Sequence, residues 1–260
     1  MCIRDSDPAD RASEQILATN LDHVFILVPL DRETSLAWIE RSLVLVHESG
    51  ADPAVILSKA DLDDRPPSFE IEVRSVTGDD PVHVVSAITG RGVDALRSYF
   101  EGNATVAMFG ASGAGKSTLV NALIGDEQQE TADVRSGDAK GRHTTTTRHL
   151  LPLPDGGVIL DTPGLRALGL WEASSGLERA FPDIEALSAD CRFRDCQHDA
   201  EPGCAVRAAV ESGEIEARRL DSYHKLVAEA DAVDRQREEQ RQAQGEGRRP
   251  PRRRSGRGGR

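Results

Sequence analysis

A glycine-rich turn at residues 110–117 constrains the fold of this chain more than any other feature of its sequence. It consists of Gly110, four further residues, then Gly115, Lys116 and Ser117, and it lies between an apolar run and an amphipathic helical pattern. Loops with this spacing wrap backbone N–H groups around phosphate oxygens at the positive end of a helix. A glycine-rich turn without a ligand is the alternative. The apolar strand before it and the helix after it favour a phosphate-binding loop.

The phosphate-loop pattern assigns roles to individual residues. The Lys116 ammonium should reach the β- and γ-phosphates and take part in catalysis, and the Ser117 hydroxyl should ligate Mg²⁺. The full set of phosphate-binding candidates is Gly110, Ala111, Ser112, Gly113, Ala114, Gly115, Lys116, Ser117 and Thr118.

A second motif, Ser58-Lys59-x-Asp61, ends an apolar run and resembles a guanine-reading sequence, with serine where asparagine is usual. The Asp61 carboxylate would accept hydrogen bonds from guanine N1–H and the exocyclic amine, while the Lys59 stem would lie along the base. Adenine offers no such pair of donors, so Asp61 would set the choice of base. Ser86 and Ala87 resemble the last motif of the same kind of domain, in which a backbone N–H meets guanine O6.

The order of these motifs is unusual, because the base-reading motifs normally follow the phosphate loop and here they precede it. Each half of the domain keeps its ordinary order, and only the two halves are exchanged. Such a circular permutation is physically admissible, since the strand ends converge on one site and domain termini commonly lie close together. The sequence therefore predicts a circularly permuted nucleotide-binding domain.

Two segments downstream of the phosphate loop complete the predicted Mg²⁺ and phosphate site. Asp161 ends an apolar strand, where a carboxylate can hold the Mg²⁺ shell, and Gly164 could offer its backbone N–H to the γ-phosphate. In the threonine-rich stretch between loop and strand we favour Thr145 as a further Mg²⁺ ligand, with an ordinary polar surface loop as the alternative. Leu165 stands where many GTPases place a water-orienting glutamine. His143 is then the nearest candidate for that catalytic task, and a structural or RNA-facing role for it stays open.

Three cysteines and one histidine crowd into fourteen residues as Cys191-x4-Cys196-x-His198-x5-Cys204. A Cys₃His set suits tetrahedral Zn²⁺ with no open coordination position, which is typical of a structural site. A disulfide with one free thiol is the main alternative, and iron–sulfur ligation is another. Clustered cysteines in a chain without a signal peptide favour the metal.

Strand-like and helix-like segments alternate through the first two thirds of the chain, which predicts an α/β fold with a mostly parallel sheet and helices on both faces. A small helical zinc-binding domain should follow. We place the domains at residues 1–20 (a remnant of an N-terminal region), 21–172 (the permuted nucleotide-binding domain), 173–225 (the zinc-binding domain) and 226–260 (a charged helix and a disordered Arg-rich tail).

Charge is distributed unevenly along the chain. The formal net charge is -12, yet residues 248–260 hold seven Arg and no acidic residue. An acidic body with a basic tail hints at a polyanionic partner, although a solvated tail is nearly as good an explanation. No apolar stretch is long enough to cross a bilayer and no signal peptide is visible, so a cytoplasmic location is the default expectation.

In this order, the motifs SKAD, SAITGRG, GASGAGKSTLVNAL, GRHTTTTRH, DTPGLR and CRFRDCQHDAEPGCAV resemble the RsgA family of circularly permuted bacterial GTPases. The resemblance implies GTP hydrolysis, stimulated by the 30S ribosomal subunit, during late maturation of that subunit. It implies binding of GTP and GDP with Mg²⁺, one Zn²⁺, contacts with 16S rRNA, release of assembly factors, and a monomer. The family also carries an N-terminal OB-fold barrel, and we expect most of it to be missing from this chain.

Two other functions stay open at this point. One is an ATP-using P-loop protein in which the match at residues 58–61 is a coincidence. The other is a nucleotide-dependent RNA-binding module that hydrolyses little nucleotide, which the absence of glutamine at Leu165 allows.

Overall fold

A six-stranded sheet with helices on both faces forms the centre of the computed structural model, which describes residues 2–6, 14–63, 68–125, 149–161 and 174–246. The strands are β1 (Cys2–Ser6), β2 (Glu14–Thr19), β3 (His23–Pro29), β4 (Asp52–Ser58), β5 (Val82–Val84), β6 (Thr105–Gly110), β7 (His149–Pro152) and β8 (Val158–Asp161). The helices are α1 (Leu36–Ser49), α2 (Ser68–Thr77), α3 (Lys116–Ile124), α4 (Ser174–Ala180), α5 (Pro182–Ser188), α6 (Ala205–Ser212) and α7 (Ala217–Glu246), with a 3-10 segment at Asp94–Asn103.

The central sheet has the strand order β5-β4-β3-β6-β8-β7. Its neighbouring strands are parallel, except that β7 runs antiparallel to β8 at one edge. The chain first builds outward from β3 through β4 to β5, and then adds β6 and β8 on the other side of β3. This topology brings the carboxyl ends of β3, β4 and β6 to the same edge of the sheet. The predicted α/β fold with a mostly parallel sheet is confirmed.

Alternate residues of the central strands enter two different cores. In β3, Val24, Ile26 and Val28 pack on one face, and Phe25 and Leu27 pack on the other. Helices α1, α2 and α4 to α7 contribute to the first core, whereas α3 and the 3-10 segment contribute to the second. Because both faces are covered, the central strands consist of continuous apolar runs instead of alternating patterns.

The helical region that follows the sheet packs directly on α1. A Cβ atom added to Gly176 of α4 would lie 2.4 Å from the Val44 carbonyl oxygen, so the two helix backbones are in close contact there. The Glu48 carboxylate of α1 accepts hydrogen bonds from the Gly176 N–H at 2.8 Å and from the Ser175 hydroxyl at 2.9 Å. Glycine is therefore required at position 176 for this approach.

Three features differ from the sequence-based expectations. Residues 1–20 have no clear hydrophobic period in the sequence, yet β1 and β2 form an antiparallel pair there. No element was predicted for α2, whose single buried face is short. The sequence GVDALRSYF at residues 92–100 predicts a helix, whereas the structure has a 3-10 segment interrupted at Glu101 and Gly102, where the backbone is not helical.

Helix α7 begins at Ala217, so the expected domain boundary at residue 225 falls within it. None of the described helices combines the length and the apolar character that crossing a bilayer requires.

Candidate functional site

The phosphate-loop sequence forms the turn between β6 and α3. A Cβ atom on Gly110 would lie 2.9 Å from the Leu27 carbonyl oxygen of β3, so only glycine allows this approach. Gly115 has a φ of 91°, in the left-handed region that favours glycine, and α3 begins at the next residue. The loop therefore wraps across the N-terminus of α3, where backbone N–H groups can bind an anion.

The Lys116 ammonium lies inside this loop. It donates hydrogen bonds to the Gly110 carbonyl at 2.7 Å and the Ala111 carbonyl at 3.1 Å. Ser117 and Thr118 follow in the first turn of α3 and are partly buried. A cation and a hydroxyl are thus placed beside the loop, where they could contact phosphate and a hydrated cation.

Ser58 bonds the end of β4 to the phosphate loop. Its hydroxyl is buried and donates to the Ala114 carbonyl at 2.8 Å. Serine is shorter than the asparagine that is usual at this position of the motif. The structure shows that the shorter side chain still reaches the loop, because β4 and β6 are separated only by β3.

Replacing Ser58 by alanine should lower the free energy of unfolding by about 1 kcal/mol, since the Ala114 carbonyl would lose a buried partner. Urea denaturation of both proteins would measure the change. Ser98→Ala is the control, because that hydroxyl is exposed and donates to the Ala95 carbonyl of its own segment. If both variants lost the same stability, the buried Ser58 hydrogen bond would contribute no more to the free energy of unfolding than the exposed Ser98 bond, and the prediction would be wrong.

Lys59 and Asp61 lie beside the same loop. Lys59 has a φ of 62°, and its Cγ and Cε atoms lie 3.9 Å from the position that a Cβ on Gly115 would occupy. The Asp61 carboxylate accepts a hydrogen bond from the Ser86 hydroxyl at 2.5 Å, and Ser86 is fully buried. The predicted base-reading residues and the predicted phosphate loop therefore come together at one edge of the sheet.

The Ser86 backbone N–H donates to the Arg91 carbonyl at 2.9 Å. Of the Ser86–Ala87 pair, Ala87 is therefore the residue whose N–H could meet the base. The hydroxyl of Ser86 orients Asp61 instead, a role that the sequence alone did not suggest.

The sulfur and nitrogen atoms of Cys191, Cys196, His198 and Cys204 all lie within 4.8 Å of one another. The Cys191 and Cys204 sulfurs are 3.9 Å apart, and His198 Nδ1 is 3.6 Å from Cys191 Sγ and 3.4 Å from Cys204 Sγ. Tetrahedral Zn²⁺ would place two sulfurs about 3.8 Å apart and a sulfur and a nitrogen about 3.5 Å apart. The four residues fit a zinc ion, and these sulfurs are too far apart for a disulfide.

Local hydrogen bonds and burial shift the pKa values of three of these four ligands. Burial alone would raise the pKa of Cys191, but backbone N–H groups at the start of α6 donate to its sulfur and lower the pKa overall. Burial, and secondarily His224, lower the pKa of His198, which favours the neutral imidazole that a metal requires. Burial and the two neighbouring cysteines raise the pKa of Cys196 to about 11, so a bound cation would be needed to hold that thiol as thiolate.

The RsgA GTPase family model matches residues 3–171. The chain belongs to the RsgA GTPase family. The small ribosomal subunit biogenesis GTPase RsgA of Methanosarcina acetivorans is 46% identical over 228 residues, covering 88% of this chain and 62% of that protein. The RsgA protein of Streptomyces avermitilis is 50% identical over 227 residues, covering 86% of this chain and 61% of that protein. The chain thus spans about three fifths of the length of the curated relatives it matches.

Two solved structures have folds similar to that of this chain. The crystal structure of YjeQ from Thermotoga maritima matches with a TM-score of 0.61 at 29% identity, covering 87% of this chain and 81% of that chain. YloQ, described as a circularly permuted GTPase, matches with a TM-score of 0.56 at 26% identity, covering 82% of this chain and 69% of that chain. The circular permutation predicted from the motif order is confirmed for this RsgA-family chain.

The remaining predicted site residues lie partly or wholly outside the described part of the chain. His143, Thr145, Gly164 and Leu165 fall outside it. The backbone of Asp161 ends β8 next to β6, as predicted, but its side chain is not among those described. Their roles stay predictions.

Two residues that the sequence analysis missed also belong to this edge of the sheet. Asp31 and Arg32 follow β3, and their side chains contact Lys59 and Ser112. A charged pair directly after a buried strand was the available signal, because parallel strands place their carboxyl ends at the ligand-binding edge.

Proposed function

We propose that this chain binds guanine nucleotides and hydrolyses GTP. The observation that carries the proposal is the contact between base-reading residues and phosphate loop: Ser58 bonds to Ala114, and Lys59 lies across Gly115. Through these contacts, the residues that would read guanine lie directly beside the loop that would hold its phosphates. In the bound state Asp61 would accept from the guanine edge, and the backbone N–H groups of the loop would hold the phosphates.

Within this proposal, a few groups would stabilise the negative charge that develops on the phosphates during hydrolysis. Lys116 would move from its loop carbonyls to phosphate oxygens, and Mg²⁺ would supply further positive charge when bound. Ser117, Asp161 and Thr145 would hold that Mg²⁺, and Gly164 would offer its N–H to the γ-phosphate. His143 would position the attacking water, because Leu165 cannot.

We assign a single structural Zn²⁺ to Cys191, Cys196, His198 and Cys204. These residues span an irregular segment between α5 and α6 that contributes few apolar side chains of its own. Zinc would supply the folding free energy that such a segment lacks. With all four positions filled by protein ligands, the ion would have no role in hydrolysis.

For the whole protein, we propose that the GTP cycle serves late maturation of the 30S ribosomal subunit in the cytoplasm. The support is the family and the names of the relatives, which are small ribosomal subunit biogenesis GTPases. Binding to 16S rRNA, stimulation of hydrolysis by the subunit and release of assembly factors belong to this proposal.

Replacing Asp61 by asparagine tests base recognition. We expect the affinity for GDP to fall about 100-fold, because one N–H donor of guanine would then face the amide N–H₂ of asparagine where a carboxylate oxygen stood, while the affinity for XDP should rise. Competition against a fluorescent guanine nucleotide would measure GDP, XDP and ADP in parallel. Asp79→Asn is the control, since this exposed carboxylate lies on the turn before β5, at the other edge of the sheet.

If ADP competes as well as GDP with the unaltered chain, the guanine proposal is wrong. Hydrolysis is a separate question, and it should be measured with and without purified 30S subunits. Binding of GTP without hydrolysis under both conditions, with the complete protein, would favour the nucleotide-dependent RNA-binding module instead.

A further inference from the structure

The loop after β3 lies between the two halves of the candidate nucleotide site. In the sheet, β3 separates β4, which ends in the base-reading motif, from β6, which ends in the phosphate loop. The Leu30 N–H donates to the Ser58 carbonyl at 2.9 Å, so the loop is bonded to the end of β4 from its first residue. The next two side chains contact different segments. Asp31 extends to Lys59 at the end of β4, and Arg32 extends to Ser112 in the phosphate loop after β6.

Asp31 holds the end of the base-reading lysine. Its Oδ2 atom lies 2.6 Å from Lys59 Nζ, and the two side chains are only 29% and 21% exposed. Because the Lys59 stem also lies against Gly115, the lysine is fixed at its tip by Asp31 and along its length by the phosphate loop. A lysine side chain loses much rotamer freedom when it is ordered, so a partner that orders it beforehand lowers the cost of binding a base against it.

Arg32 holds the phosphate loop itself. Its Nη2 atom donates to the Ser112 carbonyl at 2.7 Å. Its two terminal nitrogens also lie 3.7 and 3.8 Å from the position that a Cβ on Gly113 would occupy, so the guanidinium covers this part of the loop. A loop rich in glycine loses more backbone freedom than most when it is ordered, and a bond from a neighbouring strand restricts it beforehand.

We propose that Asp31 and Arg32 are positioning residues for the nucleotide: Asp31 fixes Lys59 for the base, and Arg32 fixes the phosphate loop. This inference rests on the proposed guanine-nucleotide function. The β3 loop belongs to neither sequence motif. In this inference it holds the base-reading lysine and the phosphate loop at a fixed distance before the ligand binds.

The test is a double-mutant cycle on GDP affinity. Asp31→Asn should weaken GDP binding about tenfold, which corresponds to the loss of one charge-assisted hydrogen bond. Lys59→Ala should weaken it at least as much, and Asp31→Asn should then add little in the Lys59→Ala background, because its effect acts through the lysine. Most of the change should lie in the rate of GDP dissociation, measured by displacement of a fluorescent GDP.

Arg32→Gln should weaken GDP binding about fivefold, and Arg32→Lys should restore part of it, because a lysine can still donate to the Ser112 carbonyl. The matched controls are Asp52→Asn and Arg179→Gln. These two residues form a partly exposed ion pair at 3.4 Å, and Asp52 begins the strand that ends just before Lys59. Both controls should leave GDP affinity within twofold of the unaltered chain.

Additive losses for Asp31→Asn and Lys59→Ala would overturn the role of Asp31, as would an unchanged GDP affinity in Asp31→Asn. A fall in melting temperature of the nucleotide-free chain that accounts for the weaker binding would also overturn it, since that points to general destabilisation. If the unaltered chain binds no GDP, the proposed function itself fails. If it binds GDP and the variants match it, only the positioning inference fails.

Discussion

Replacing Cys204 by serine should abolish stoichiometric zinc binding and unfold the segment between α5 and α6. Structural zinc contributes an apparent folding free energy of about 10–16 kcal/mol in small zinc domains, so the loss of one thiolate from four ligands has a large effect. Cys204 is buried, and its sulfur also accepts from the Arg207 N–H at the start of α6. The start of that helix should therefore be lost together with the metal.

Zinc per chain, measured by atomic emission, should fall from one to near zero in Cys204→Ser. Amide hydrogen exchange should accelerate strongly over residues 189–212 and change little in the central sheet, which has its own cores. Cys2→Ser serves as the control, because Cys2 is far in sequence from the four clustered ligands at residues 191–204. A Cys204→Ser chain that retains one zinc ion with unchanged exchange would contradict the assigned ligand set.

The nucleotide and metal sites could be predicted largely because their residues are close in sequence and follow strand ends. Gly110 to Ser117 form one turn, and Cys191 to Cys204 form one short segment, so spacing alone indicated which atoms would meet. The two base-reading segments required one further step, namely that parallel strands align their carboxyl ends. Their order then predicted the permutation.

The partners of residues that meet across distant parts of the chain could not be read from the sequence. Asp31 meets Lys59, and Arg32 meets Ser112, only because β3 lies between β4 and β6 in the folded sheet. Helix α2 was missed for a related reason: its apolar residues are few, and it is held by packing against the first core. Local propensity is weak in such segments, and tertiary contacts determine their structure.

The least predictable feature is a buried ion network between α1 and α7. Arg219 is 5% exposed, and its guanidinium donates to Glu40 at 3.0 Å and to both carboxylate oxygens of Asp183 at 2.6 and 2.7 Å. It also donates to the Ala180 carbonyl at 3.0 Å and stacks over the Phe181 ring at 4.5 Å. Burial alone would raise the pKa of Asp183, but the hydrogen bond and charge of Arg219 lower it overall.

Replacing Arg219 by methionine should lower the free energy of unfolding by about 3–5 kcal/mol. Glu40 is fully buried, so removing one of its cationic partners leaves a carboxylate in the interior with Arg218 as its one remaining cationic partner among the described residues. Arg219→Lys should recover part of the loss, because an ammonium keeps the charge but cannot reach Glu40 and Asp183 with a planar fork. Urea denaturation followed by circular dichroism would give the three free energies.

Arg41→Gln provides the control, an ion pair between α1 and α7 whose side chains are not fully buried. Arg41 pairs with Glu229, so this ion pair also joins α1 to α7, but its side chains are 30% and 40% exposed. Exposed pairs of this kind contribute about 0–1 kcal/mol, because water already solvates both charges. The Arg219 variant should therefore lose several times more stability than the Arg41 variant, although both changes remove an ion pair between the same two helices. Arg219→Met also removes the ion pair with Asp183 of α5. Equal losses would mean that burial of the Arg219–Glu40 pair adds nothing to its effect on stability. The argument that the buried Glu40 carboxylate needs both Arg218 and Arg219 would then be wrong.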